Sequence, residues 1–540
     1  MARFYIPVDR DQEFLLPVSM REWLPEDHLA LFVIELVATL ELSGLHRSYR
    51  SGAQGRSAYD PGMLLTLWVY ATCIGVRSSR EIERRCRSDI AYRFLCANRV
   101  PDHTTLARFR QRCDAVIEEL FCQLLGVCAE AGVLRLGLVA LDGTKVAANA
   151  ALGATHYEQT IRAEVRKLLD AAAEMDAAED RLFGDRRGDE LPEGLNRAGR
   201  DRLVRLQAAA ARAAQRTAQA AGDPEAKLAG AKSKDAASVA ATGRHRRGHK
   251  TLGPDPIGEA EADLAEARSE HQRARDDLAR ARAEARATGG PPPTRHAYSR
   301  TWLRQQSAER RLARLRARAA EGRLVTPTAE VRGANTTDPD SAVLPTAHGW
   351  VQGYNVQAVV DEGQLIVAVG VCDTPADVTQ FEPMIAATAA NLQAAGISER
   401  PAVIVADAGY WSEANAIARA GDGSGDARDD EHRPERLIAT TKSYKLRQAR
   451  QRQAAHGPPP AGATPLEAME HRLRTPEGSA LYAKRAITVE PVFGQLKEHQ
   501  RLRRFLRRGR SAVLAEATFA AAAHNVLKLF VAHAGGPAMA

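Results

Sequence analysis

The sequence predicts an α/β protein: a mixed sheet flanked by helices, preceded by an all-α amino-terminal domain and interrupted by a long helical, partly coiled insertion. Three observations carry this reading. Short apolar runs closed by turn signals occur at 138–141, 354–360, 365–371 and 402–406. The first 135 residues show helical periodicity instead. From about Tyr157 to Leu324 the chain turns rich in Ala, Arg, Glu and Asp, with only Tyr157, Phe183, Tyr298 and Trp302 as aromatics.

A length of 540 residues exceeds one typical domain. The formal charge of +8 favours an anionic partner, although spread over the chain it does not identify one. Cys73, Cys86, Cys96, Cys113, Cys122, Cys128 and Cys372 form no CxxC pair and read as small core residues of a reducing cytoplasm. The opening residues, 1–14, lack a basic-then-apolar leader, and Glu35 interrupts the best apolar stretch, 29–40. A soluble cytoplasmic protein with no membrane span is therefore expected.

Residues 1–135 read as a helical DNA-binding domain. Asp60 can cap a helix with Pro61 at its first position and Gly75 at its end, and Ser78 with Glu81 fits a capping box. A third helix starts near Pro101-Asp102, with Leu106, Phe109, Cys113, Val116, Ile117 and Leu120 on one stripe and Arg108 and Arg112 away from it. Such a set fits a helix-turn-helix reader using Arg108 and Arg112, and equally a plain bundle with a solvated basic face.

Residues 136–540 read as the sheet domain, interrupted by 151–335. Within the insertion, Val165, Leu168, Leu169, Leu303, Leu312 and Leu315 fit helical hairpins or coiled coil, while 222–258 and 289–293 lack periodicity and read as flexible loops. Without the insertion the order is strand, hairpin strands joined by Asp361-Glu-Gly363, a helix near 380–395, a buried strand, a weaker strand at 436–440 and a basic helical region from about 479 to 532. That is the order of a ribonuclease H-like fold.

Two of the short apolar runs, 138–141 and 402–406, each end at an aspartate, Asp142 and Asp407. An Asp after a strand is often only a turn former, and Glu490 beside Pro491 is as readily a first-turn acid favoured by the helix dipole. Together the three supply what phosphodiester cleavage needs: carboxylates that hold two hard cations about 3.5 to 4 Å apart.

The segments Leu141-Asp-Gly-Thr-Lys-Val-Ala-Ala-Asn-Ala150, Asp407-Ala-Gly-Tyr410 and Tyr482-Ala-Lys-Arg485 with Val489-Glu-Pro-Val-Phe-Gly-Gln-Leu-Lys497 resemble the three acidic blocks of insertion-sequence DDE transposases. The last block is similar to that family's Tyr-Arg-Glu-Lys signature, here Tyr482, Arg485, Glu490 and Lys497, with four residues between Arg485 and Glu490 where the signature has three. Tyr59-Asp-Pro61, 78–82, 101–110 and the stretch from Thr337 through Gly353-Tyr-Asn355 resemble other parts of the same elements.

The resemblance implies Asp142, Asp407 and Glu490 as catalytic metal ligands for two Mg²⁺ ions, with Mn²⁺ able to substitute. It also implies cleavage and joining of double-stranded DNA at the element's terminal inverted repeats, oligomerisation on DNA as a homodimer or higher, and nucleoid association while acting. Downstream of Glu490, the one-signed run that includes Arg501, Arg504 and Arg508 suits phosphate contact, with Lys497 and Arg485 also read as DNA-binding; Tyr410 and Tyr482 fit stacking on a splayed base near the cut, although such residues more often serve packing.

Overall fold

The computed structural model describes residues 5–6, 19–49, 57–168, 170, 197–220, 255–291, 293–294, 296–320, 333–346, 349–417 and 434–534. It is an α/β structure of two compact units, residues 1–154 with 337–540, and residues 155–336.

The first unit is built around a six-stranded mixed sheet. Its strands are β1 Leu138–Ala147, β2 Ala342–Thr346, β3 Gly349–Asp361, β4 Ile366–Cys372, β5 Val403–Ala406 and β6 Glu435–Ile438. β3 runs antiparallel to β1, β2 and β4, whereas β5 pairs parallel with both β1 and β6. Residues 138–141 are fully buried, as a strand covered on both faces requires, and the pairing carries β1 on to Ala147. β2 was not expected from the sequence: Pro345 and exposed Trp350 hide the alternation that would mark a hairpin.

The amino-terminal helices include α1 Leu29–Thr39, α2 Pro61–Cys73, α3 Ser79–Ser88, α4 His103–Arg112 and α5 Ile117–Glu130. Asp60 caps α2 by accepting from the Met63 N–H at 2.8 Å, and Asp102 caps α4. The expected capping box at Ser78 does not form, because Glu81 turns instead to Arg84 and Arg85. The continuous stripe through Ile117 is also corrected: a 3-10 turn at Cys113–Ala115 separates α4 from α5. Gly75 has φ +76°, and a Cβ there would lie 2.4 Å from the His499 carbonyl oxygen, so only glycine permits this approach.

The carboxyl-terminal region differs most from its expected form. It comprises α6 Phe381–Ala394, α7 Ser443–Arg452, α8 Pro465–Arg474, α9 Pro476–Glu498 and α10 Arg510–His533. The expected basic helix from 479 to 532 is two helices joined by a non-helical arginine loop, 499–509, in which Arg501 and Gly509 adopt left-handed φ of +57° and +83°. α9 continues through Pro491. That proline has no N–H to offer the Ile487 carbonyl four residues back, and Gln364 Nε2 donates to it instead at 2.9 Å.

The alanine-rich α10 is buried on two sides. Val513, Ala517, Ala520 and Ala521 join the core over the sheet, while Ala515, Phe519, Ala523 and Val526 join the core of the amino-terminal helices. Asn525 clamps the edge of β4, accepting from the Ile366 N–H and donating to its carbonyl, both at 2.8 Å. All seven cysteines are buried and unpaired, and among the described residues no helix is long and apolar enough to cross a membrane.

In the second unit, helices Pro256–Thr288 and His296–Ala320 form a hairpin turned at Gly289, with Ala260, Leu264, Leu312 and Leu315 between them. Arg311–Asp263, Arg316–Glu261 and Arg304–Glu270 pairs line its sides. Ile161, Leu206, Ala209 and Ala213 make a smaller cluster. Most of the expected flexible segment 222–258 lies outside the described residues, as do Leu169 and Phe183.

Burial and the neighbouring Lys528 and His499 charges hold the His524 pKa down to about 4, although its Nε2 donates to the Gln364 carbonyl at 2.8 Å. Between the ordinary value of 6.5 and about 4 the unfolded chain binds a proton that the folded chain refuses. Stability present above that window therefore falls as pH drops through it, by up to roughly 3 kcal/mol. Urea unfolding at pH 7 and 4.5 should show a smaller loss for His524→Gln than for wild type.

Candidate active site

Asp142 and Asp407 come together because β1 and β5 pair in parallel, Leu141 beside Ala406, so the next residue of each strand is an acid at the same level. Asp142 Oδ1 accepts from the Gly143 N–H at 2.7 Å. Asp407 turns the chain out of β5, its Oδ1 accepting from the Gly409 N–H at 2.9 Å. Burial pushes the Asp142 pKa up; Arg485 opposes this and the Asp407 charge adds to it.

Glu490 reaches these strands through an arginine. On α9, which packs across β1 and β5, Arg485 donates from Nη1 to Asp142 Oδ2 at 2.7 Å and from Nη2 to Glu490 Oε1 at 3.2 Å. Residues 485 and 490 are five apart, and the guanidinium spans the extra residue in the spacing. Burial works against the Arg485 charge, yet Asp142, Tyr482 and Asp407 hold its pKa up. Arg485 is thus a fixed cation among three acids. Among the described residues no three His, Cys, Asp or Glu side chains stand close enough to hold a metal ion. The donor set still fits a hard divalent cation: oxygen ligands, a buried carboxylate, and a positive group already balancing it.

The other expected residues divide. Lys497 is half-buried and donates to Thr144 Oγ1 on β1; burial, then Arg503, pushes its pKa down. Tyr482 packs half-buried against the sheet core, and Tyr410 is fully buried, which removes it as a base-stacking surface. Arg501, Arg504 and Arg508 are exposed on the arginine loop rather than on a helix. Arg108 and Arg112 are exposed on α4, Arg112 lying 4.5 Å from the Tyr49 ring centroid, and have no described hydrogen bond or ion pair with the acids.

Sequence reasoning missed what fixes the loop. Leu502 and Phe505 are buried anchors. The Ala147 N–H donates to Arg503 O at 3.2 Å and the Phe505 N–H to Ala147 O at 2.8 Å, stitching the loop to β1. Arg77 Nη1 donates to the Arg501 and Arg504 carbonyls at 2.7 and 3.0 Å and its Nη2 pairs with buried Glu516, which also accepts from the Leu506 and Arg507 N–H groups. Asp377, Asn355 and Gln357 beside the acids were missed too. Only Asn355 carried a signal, in the Gly353-Tyr-Asn355 motif.

Removing the Glu516 carboxylate leaves Arg77 Nη2 and two loop amides unmatched in a largely buried place. Glu516→Ala should lower stability by roughly 3 kcal/mol and weaken DNA binding without removing a positive charge. Intact DNA affinity in this variant would show that the loop geometry is irrelevant to binding.

Residues 18–112 match a transposase domain family (DUF772), and residues 440–530 match the transposase DDE domain family. The second match takes in Tyr482, Arg485, Glu490, Lys497 and the arginine loop; Asp142 and Asp407 lie outside both. No curated protein and no solved structure matches the chain. With a transposase domain match at one end and a transposase DDE domain match at the other, this chain carries the two domains of an insertion-sequence DDE transposase, a class of enzyme that cleaves DNA and transfers its strands.

Proposed function

We propose that the chain binds the terminal inverted repeats of its own mobile element, nicks the DNA by cation-assisted hydrolysis, and joins the freed 3′-hydroxyl to target DNA. The observation that carries this reading is the Arg485 guanidinium seated between Asp142 and Glu490, beside Asp407. An acidic site that keeps a half-buried arginine in place is prepared for positive charge and for phosphate.

On this reading residues 136–540 form a ribonuclease H-like domain interrupted by 151–335. The strand order β4–β3–β1–β5–β6, with antiparallel pairing on one side of β1 and parallel on the other, supports it. Residues 1–135 contribute the helices that read DNA, with Arg108 and Arg112 outward. Asp142, Asp407 and Glu490 hold two Mg²⁺ ions, or Mn²⁺ in their place. When bound, such ions activate the attacking oxygen and balance charge on the leaving one.

The chain's own groups do the rest. Arg485 exchanges the Asp142 and Glu490 carboxylates for a DNA phosphate, freeing their oxygens. Lys497, half-buried beside Thr144, contacts the DNA backbone there. Arg501, Arg504 and Arg508 run the phosphate strand along the end of β1. Two ends must be held together, so the protein acts as a dimer or higher assembly on DNA, in the cytoplasm at the nucleoid.

Each of Asp142→Asn, Asp407→Asn and Glu490→Gln should abolish cleavage of end-bearing DNA with Mg²⁺ while leaving end binding intact; near-normal cutting by one would remove that residue from the site. Products without new strand joints from the intact chain would mark a nuclease that stops at hydrolysis.

Replacing Arg501, Arg504 and Arg508 together by Ala should weaken binding to every DNA sequence. The salt dependence should flatten by about one unit of slope per lost phosphate contact, because fewer counterions are released. An unchanged slope would make the loop a solvated surface. Arg108→Ala should instead reduce discrimination between terminal repeat and random DNA.

A further inference from the structure

Behind Asp142, within β1, and Asp407, at the end of β5, lies a set of polar side chains that the proposed reaction does not use. Asn355 and Gln357 occupy alternate positions on β3, opposite Lys145 and Gly143 of β1, and project from the same face of the sheet. Both are fully buried. Asp377, in the segment between β4 and α6, receives both amides on one oxygen: Asn355 Nδ2 donates to its Oδ1 at 2.7 Å and Gln357 Nε2 at 2.9 Å.

The amide orientations are set by their other partners. Asn355 Nδ2 also donates to the Thr374 carbonyl at 3.2 Å, and Gln357 Oε1 accepts the Tyr410 hydroxyl, which leaves Gln357 Nε2 facing Asp377. Tyr410 in turn closes the turn that begins at Asp407, its N–H donating to the Asp407 carbonyl at 3.2 Å.

Two glycines make room for this arrangement. A Cβ on Gly143 would lie 2.5 Å from Gln357 Nε2 and 3.0 Å from Asp377 Oδ1. A Cβ on Gly409 would lie 3.0 Å from Asp407 Oδ1 and 3.2 Å from Asp377 Oδ2. Gly143 follows Asp142 directly, and Gly409 sits two residues after Asp407. One carboxylate therefore lies close beside both backbone segments that carry Asp142 and Asp407. Lys145 Nζ, 3.8 Å from Asp377 Oδ2, offsets the added negative charge.

We propose that Asp377 is a positioning residue for the reaction. Through Asn355, Gln357 and Tyr410 it fixes the separation of Asp142 and Asp407, so that two carboxylates that repel each other present their oxygens to a divalent cation without first being drawn together. The proposal rests on the reading of Asp142 and Asp407 as cation ligands. The part of Asp377 that matters is the acceptor oxygen shared by two amides, not its charge. An asparagine can supply the same acceptor from its carbonyl oxygen; an alanine cannot.

The test is Mn²⁺ titration of the full-length protein without DNA, followed calorimetrically, with thermal unfolding of every variant recorded alongside. Asp377→Ala should weaken Mn²⁺ binding about tenfold, as loss of a group that orients ligands does. Asp377→Asn should restore binding close to wild type. Tyr410→Phe, which keeps the buried ring and removes only the hydroxyl that holds Gln357, should weaken binding in the same direction by less. With end-bearing DNA, Asp377→Ala should lower kcat and leave the KM for DNA unchanged.

Wild-type Mn²⁺ affinity in both Asp377→Ala and Tyr410→Phe would overturn the proposal. So would an Asp377→Asn protein as deficient as Asp377→Ala, which would make the carboxylate itself a ligand. Asp142→Asn and Asp407→Asn run in parallel separate the two readings: undiminished Mn²⁺ binding by both would overturn the cation reading and, with it, the role of Asp377.

Discussion

The charge of Asp142 is the constraint to which the rest of the site answers. Its side chain is 19% exposed and stands beside a second acid. Removing a carboxylate from water and placing it near another is strongly unfavourable unless a positive group compensates. Arg485 supplies that compensation from α9, and its placement brings the helix, Glu490 and Lys497 against β1. The same electrostatic demand gathers Asp142, Arg485 and Glu490 into one hydrogen-bonded group.

A second constraint operates through α10. Its alanines allow close approach on two sides, so a single helix closes both the sheet core and the core of the amino-terminal helices. Arg77, just before α3, then reaches Glu516 on α10 and the carbonyls of the arginine loop. The arginine loop is thus shaped from the amino-terminal helices as well as from the sheet. A loop of arginines without such anchors would be spread by mutual repulsion and would lose conformational entropy on meeting DNA.

Local signals in the sequence were reliable where one short-range interaction decided the outcome. Asp60 and Asp102 cap helices because a free carboxylate next to unsatisfied N–H groups has few better partners. The hairpin from 354 to 371 follows from alternation and a turn, and the buried runs before Asp142 and Asp407 follow from their unbroken apolar character. Ser78 and Glu81 fit a capping pattern equally well, but arginines one helical turn away competed for the glutamate. Pro491 looked like the start of a helix and lies inside one, because a distant glutamine takes over the carbonyl it leaves unbonded.

By itself the sequence determined the α/β class and, in their order along the chain, five of the six strands of the sheet. These depend on periodicity and on motifs written within a few residues of one another. Only the tertiary structure decided that Arg485 bridges Asp142 and Glu490, that the basic run after α9 is an anchored loop, and that Asp377 lies beside both Gly143 on β1 and Gly409 after β5. The reason is physical: each of these contacts joins residues far apart in the chain. Their partners are chosen by burial, which makes an unpaired charge or amide costly, and burial exists only once the sheet and its covering helices have come together.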